Sequence, residues 1–195
     1  RRLIQEKILN IKKRLSKVES RRQVQRNLRK NNNFKTVALI GYTNAGKTLL
    51  FNKLTKKKQS SRSRLFETLD TKISRVYLGE NIYIGLIDTV GFINNIPTSL
   101  IESFKATLEE VNTADILLNI VDINDLNAKQ KIRVTKNILK DTGVDKNKIS
   151  EMITIYNKID LKEFKSSHHY KKNYISALTG EGVSDLKRTL KNSLI

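Results

Sequence analysis

The chain has no cysteine, a single proline in 195 residues, and no apolar run long enough to cross a membrane, which takes about 18 residues. Without cysteine there are no disulfide frameworks, thiolate zinc sites, cysteine nucleophiles or iron–sulfur clusters, and a reducing compartment is expected. One proline with 38% apolar residues argues against a Pro-rich disordered chain and suits a folded domain with at most one appendage. No signal peptide and no repeat at solenoid or propeller spacing is visible. Acid is scarce as well. Thirty-eight Lys and Arg against 19 Asp and Glu leave 38 − 19 = +19, which implies a polyanionic partner, nucleic acid or an anionic membrane surface.

That charge is unevenly placed. Residues 1–33 hold twelve basic and two acidic residues, a net of 12 − 2 = +10. Lys53 to Arg75 adds eight basic and two acidic residues. Asn31-Asn32-Asn33 marks a joint, because Asn favours turns and caps, so a basic helical arm over 1–33 and a domain over 34–195 are expected. In the arm, Ile4, Ile8, Ile11, Leu15 and Val18 follow the heptad spacing of a coiled-coil seam. An isolated helix gains little from such a stripe, so a partner helix is expected, from the domain, a second copy or a preceding segment. Solvated helix and RNA-contacting helix stay open. Arg1 is not Met, so a fragment or a processed product is expected.

After the joint, strand and helix patterns alternate. Strands are predicted at Thr36–Ile40, Ile73–Leu78, Ile82–Ile87, Ile116–Val121, Met152–Tyr156 and Tyr174–Ser176, with a hairpin turn at Gly79-Glu80-Asn81. Helices are predicted at Lys47–Leu54, Ala128–Lys140 and Val183–Leu194. A further one follows a capping box at Ser99 and Glu102, with a stripe of Leu100, Ile101, Phe104, Leu108 and Val111. The pattern predicts a three-layer α/β domain around a mostly parallel, six-stranded sheet, with its ligand beyond the carboxyl ends of the strands.

Where the first strand ends, Gly41-Tyr42-Thr43-Asn44-Ala45-Gly46-Lys47-Thr48 satisfies GxxxxGK[ST] in a strand–loop–helix context. The two glycines let backbone N–H groups approach phosphates, Lys47 supplies a point charge to the β/γ-phosphates, and Thr48 offers an oxygen to Mg²⁺. Alone, this loop would serve ATP as well. Asp88-Thr89-Val90-Gly91 closes a later strand, where a carboxylate can hold the Mg²⁺ shell and Gly91 can turn its N–H toward a γ-phosphate. Asn157-Lys158-Ile159-Asp160 reads as a base selector, since Asp160 can accept from both N–H groups of the guanine edge, which adenine lacks. Ser176-Ala177-Leu178 follows the last strand and offers backbone N–H to guanine O6.

With these motifs in order, the chain resembles the translational-type small GTPases and, within them, the HflX family of ribosome-associated GTPases. The resemblance is carried by Gly41 to Lys47 with Leu50-Phe51-Asn52, by Leu65-Phe66-Glu67-Thr68-Leu69-Asp70-Thr71, and by Asp88-Thr89-Val90-Gly91-Phe92-Ile93. Thr107-Leu108-Glu109-Glu110-Val111 and Thr179-Gly180-Glu181-Gly182 continue it. It implies a P-loop GTPase fold, Mg²⁺, and GTP hydrolysis coupled to the large ribosomal subunit and its RNA, in splitting, rescue or biogenesis of ribosomes. A cytoplasmic location at ribosomes or a membrane surface is expected. It also implies Thr68 as the first-switch threonine that completes the Mg²⁺ shell and acts in catalysis with Lys47 and Gly91, with Phe66 beside the nucleotide; from the residues alone Thr71 competes with Thr68. Residues 1–30 resemble the linker helix that precedes this domain, against which the family's N-terminal domain, absent here, would pack.

Two departures stand out: Leu49 after Thr48, where the family has Ser then Thr, and Lys72 where Thr or Ser is common. Phe92 stands where many GTPases carry a water-orienting Gln, so slow intrinsic turnover and an activating partner are expected. A packed hydrophobic switch residue is the alternative for Phe92. His168 and His169 read as a polar loop, Asp122 and Asp125 as a strand-end turn near the guanine pocket, and Lys56-Lys57-Lys58 with Arg62 and Arg64 as a phosphate-backbone contact. Six Tyr and six Phe are scattered without stacking-platform spacing, so sequence-specific single-strand reading is not indicated. An RNA- or ribosome-binding module with a structural, slowly turning over GDP site is the competing function class.

Overall fold

The computed structural model describes residues 34–56, 72–92, 108–161 and 173–194. Of the two units into which the chain divides, Arg1–Lys35 and Thr36–Ile195, these lie almost wholly in the second. The expected arm over 1–33, the switch segment with Phe66, Thr68 and Thr71, the capping box at Ser99 and Glu102, and His168 and His169 lie outside the described residues.

Five strands form one sheet: β1 (Thr36–Ile40), β2 (Lys72–Gly79), β3 (Ile82–Asp88), β4 (Ile116–Asp122) and β5 (Ile153–Asn157), in the order β2-β3-β1-β4-β5. β1 pairs in parallel with β3 and β4, and β4 with β5, while β2 and β3 form an antiparallel hairpin. β1 and most of β3 and β4 are apolar and buried because both faces are covered there, as parallel sheets require, with Asn119 the polar exception in the middle of β4. β2 alternates instead, with Ser74, Val76 and Leu78 buried and Arg75 and Tyr77 exposed. Its turn at Glu80 and Asn81 has φ of 48° and 60°, the left-handed pair of a tight hairpin.

One face packs against α1 (Lys47–Thr55) and α4 (Val183–Asn192), joining Leu50, Phe51, Leu54, Leu186 and Leu190 to Val37, Leu39, Leu86, Leu118 and Ile155. The other packs against a helical stretch at 108–113, α2 (Ala128–Asp141) and α3 (Lys146–Ser150), joining Val111, Leu139 and Ile149 to Ala38, Ile40, Ile87 and Leu117. Helices, sheet and helices make three layers. Leu49 is partly buried against the first core, which gives that departure a packing role. Lys72 opens β2 opposite Asp88.

Two expectations are corrected. The sixth strand is reduced, among the described residues, to one parallel bridge between Tyr156 and Tyr174, because Ser176 N–H donates to Glu181 O and turns the chain inward. Helix α3 was not expected; the Asp145 side chain caps it by accepting from the N–H of Asn147 and Lys148.

Candidate functional site

Three motif loops leave the sheet at one end, and the Ser176–Leu178 loop meets them there through Asn157. β1, β3, β4 and β5 run parallel, so Gly41, Thr89, Ile123 and Lys158 follow their carboxyl ends side by side, with Leu39 in register with Asp88 and Asp122 with Asn157. Gly41 and Gly46 hold φ of 133° and 93°, and Asn44 lies in the left-handed region at 61°. The two glycines are also forced by close approach. A Cβ at Gly41 would lie 2.3 Å from Ile120 O, and one at Gly46 2.2 Å from Asn157 Nδ2.

Helix α1 begins directly on this loop, with no acidic residue in its first turn and no side-chain cap on Gly46, so its amino end suits an anion. Lys47 is buried, and its ammonium donates to Gly41 O at 3.1 Å and Tyr42 O at 2.9 Å, holding the charge inside the loop's curl. A Cβ at Gly91 would lie 2.8 Å from that ammonium and from Thr43 N, so only glycine fits against the loop there. Thr48 donates its hydroxyl to Asp88 Oδ2 at 2.9 Å, and Asp88 is fully buried. A hydroxyl and a carboxylate, both hard oxygen ligands, are the donor set that Mg²⁺ takes alongside phosphate oxygens.

Phe92 is 1% exposed, packed in the second core. Its N–H donates to Gly41 O at 3.0 Å, and Thr43 N–H donates to its carbonyl at 2.9 Å. The side chain is therefore packed in the core while the backbone of Phe92 ties the segment after Gly91 to the P-loop, and a glutamine in its place would bury an amide.

Asn157 links three loops. Its Nδ2 donates to Ala45 O and its Oδ1 accepts from Ala177 N–H, both at 2.9 Å. Ser176 donates its hydroxyl to Asp160 Oδ1 and accepts from Thr179 N–H at 3.0 Å, fixing the carboxylate. Lys53 of α1 donates to the carbonyls of Leu178 and Thr179. Lys158 holds a left-handed φ of 70°, costly for a non-glycine residue. Its ammonium pairs with Asp122 at 2.8 Å, and its carbonyl accepts from Asn124 Nδ2 at 3.0 Å.

Asp122 and Asn124 thus brace the Asn157–Asp160 loop, a role that sequence spacing alone could not assign. Burial works to raise the Asp122 pKa, but Lys158 and the Asn124 hydrogen bonds outweigh it and hold the carboxyl below its ordinary value. Asp125 is lowered chiefly by its hydrogen bond from Lys131. Asn119, which sequence reasoning passed over, is buried in β4 with neither amide atom hydrogen-bonded. It lines a cavity of about 210 Å³ behind the P-loop, together with Tyr42, Asp125, Lys131 and Thr135.

Comparison with known proteins fits this arrangement. Residues 36–158 match the profile of a family described as 50S ribosome-binding GTPase. GTPase HflX of Caldanaerobacter subterraneus is 39% identical over the whole chain, and that of Escherichia coli 35%. The chain spans 45% and 46% of those two proteins, less than half of each. Among solved structures, a GTP-binding protein from Sulfolobus solfataricus in complex with GDP aligns over 91% of this chain and 58% of its own, with a TM-score of 0.62 and 25% identity. A single-residue variant of Aquifex aeolicus Era bound to GDP.AlF4⁻ covers 80% of this chain and 56% of its own, with a TM-score of 0.64 and 21% identity, and shows the fold alone.

Proposed function

The chain belongs to the HflX-type GTPases, and on that footing we propose that this domain hydrolyses GTP to GDP and phosphate and couples the cycle to association with the large ribosomal subunit. The observation that supports it best is Asn157 joining the P-loop to the Ser176–Leu178 loop, beside Asp160 fixed by Ser176. One side of that junction offers a phosphate cradle and the other a guanine edge. Gly41 to Thr48 take the phosphates, with the Lys47 charge on the β/γ-phosphates and the Gly91 N–H toward the γ-phosphate. Asp160 and the backbone of Ser176, Ala177 and Leu178 take the base, with Asn157 and Lys158 shaping the pocket. Thr48 and Asp88 hold Mg²⁺, which supplies charge neutralisation at the phosphates, and Thr68 is assigned to the same shell. Phe66 is assigned to the nucleotide's edge.

Phe92 cannot orient water, and its backbone is tied to the P-loop. Turnover is therefore slow until a partner rearranges that contact, and the subunit is the partner we assign, in the cytoplasm. We assign residues 1–33 as the basic linker arm that precedes this domain. A switch must bind its partner differently in its two states. Large ribosomal subunits are expected to retain the chain at least tenfold better with a non-hydrolysable GTP analogue than with GDP, and to raise its GTP turnover, in sedimentation and phosphate-release assays. Equal retention in both states with unchanged turnover would favour an RNA-binding module with a structural GDP site.

A further inference from the structure

Tyr77 and Tyr83 are six positions apart in sequence, a spacing that gives no sign of a stacking platform. The hairpin removes that distance. β2 and β3 pair Tyr77 directly opposite Tyr83, and the rings sit 5.0 Å apart between centroids at 45°. The Arg75 guanidinium lies over the Tyr83 ring at 3.7 Å from its centroid. These rings face solvent, Tyr77 at 49% and Tyr83 at 38% exposure, and Ile73 extends the same outward row of β2 at 37%. Two clustered aromatic rings and a stacked guanidinium on an exposed sheet face are more than scattered surface apolar residues.

The surroundings favour an anionic partner. Arg75 is exposed on the same outward row of β2 as Tyr77, and Glu80, the acid at the hairpin turn, is tied to Lys191 of α4. The chain as a whole carries +19. Bases stack on aromatic rings and on arginine planes whatever their sequence, while lysine and arginine take the backbone. A duplex hides its base faces, so this chemistry selects unpaired nucleotides. Tyr83 is five residues before Asp88, roughly 16 Å of strand, which keeps the surface clear of the nucleotide cradle.

We propose that the Tyr77–Tyr83–Arg75 cluster is a stacking platform for unpaired RNA bases. It gives the ribosomal partner assigned above a defined contact on this domain, and in that respect it rests on that reading.

The test uses the 195-residue chain and a labelled unpaired oligoribonucleotide, against the same sequence annealed to its complement. With no tryptophan and six tyrosines, the chain's emission is all tyrosine, and the quenching due to the paired rings is the part lost when both are replaced. The single strand is expected to quench that emission and to bind better than the duplex. Tyr77→Leu/Tyr83→Leu, which keeps apolar bulk on the face and removes both rings, is expected to lose roughly 5- to 150-fold in affinity per base released, with GDP affinity unchanged. Arg75→Ala is expected to weaken binding and lessen its salt dependence.

Single-strand affinity that the double variant leaves intact would overturn the proposal, as would equal binding of duplex or no binding of RNA. Loss of subunit binding in the double variant, with naked RNA unaffected, would assign the surface to a protein and overturn it too. Failure of the ribosomal reading looks different: wild-type chain would then not bind subunits in either nucleotide state.

Discussion

Lys47→Ala is expected to reduce GTP hydrolysis by at least 10²- to 10³-fold and to weaken nucleotide binding, with the fold retained. The magnitude follows from removing one preorganised donor aimed at developing phosphate charge, here a full positive charge. Lys47 is 6% exposed, and its ammonium is steered by two carbonyls of its own loop, Gly41 O and Tyr42 O. Lys47→Arg is expected to fail nearly as badly. The ammonium sits where even a Cβ on Gly91 would come within 2.8 Å, and a planar guanidinium fork does not fit the space of a compact point charge. Single-turnover phosphate release at saturating GTP, with thermal melting as the folding control, measures both. Activity near the wild-type rate in Lys47→Ala would remove the phosphate cradle from the account.

The second large effect concerns the base. In Asp160→Asn the carboxylate that would accept two guanine N–H groups is replaced by an amide that offers one acceptor and a misplaced donor. Hydrogen bonds to a charged group contribute about 1.5–3 kcal/mol each, so losing two corresponds to roughly 10²- to 10⁴-fold weaker GDP binding. Xanthine nucleotides carry an acceptor where guanine carries its amino group, so they are expected to gain. The amide keeps an oxygen for the Ser176 hydroxyl, which leaves the loop's own geometry in place. Titration of GDP and XDP into both proteins reads the exchange of preference. Unchanged GDP affinity would mean that Asp160 does not face the base.

Much of this site was legible in the sequence because its demands are local. Gly41 and Gly46 are required by positive φ and by neighbours that leave no room for a side chain, and the spacing of GxxxxGK[ST] carries that requirement. Strands β1 and β4 could be read as apolar runs because a parallel sheet buries both faces. Three features could not be read, each because it is made by tertiary register. Asp122 and Asn124 brace Lys158 across the β4–β5 pairing, which no spacing along the chain displays. The expected sixth strand shrinks to one bridge because the chain after Tyr174 turns in to build the Ser176 loop. Tyr77 and Tyr83 meet only because a hairpin folds six residues into a cross-strand pair.

Phe92 shows a different limit. Its position after Asp88-Thr89-Val90-Gly91 marks the absence of a glutamine, and that much is plain in the sequence. That its backbone would close on both Gly41 and Thr43 follows from the approach of Gly91 to the P-loop, a contact set by the β1–β3 register.

The central claim is that the four loops together make a site for a guanine nucleotide that the domain hydrolyses. Phosphate release by the wild-type chain, at matched GTP and ATP concentrations with Mg²⁺ present, tests it most directly. The account predicts slow but measurable GTP turnover that falls away with ATP and is lost in Lys47→Ala. Equal turnover of ATP, or no hydrolysis of GTP even with large ribosomal subunits added, would contradict it.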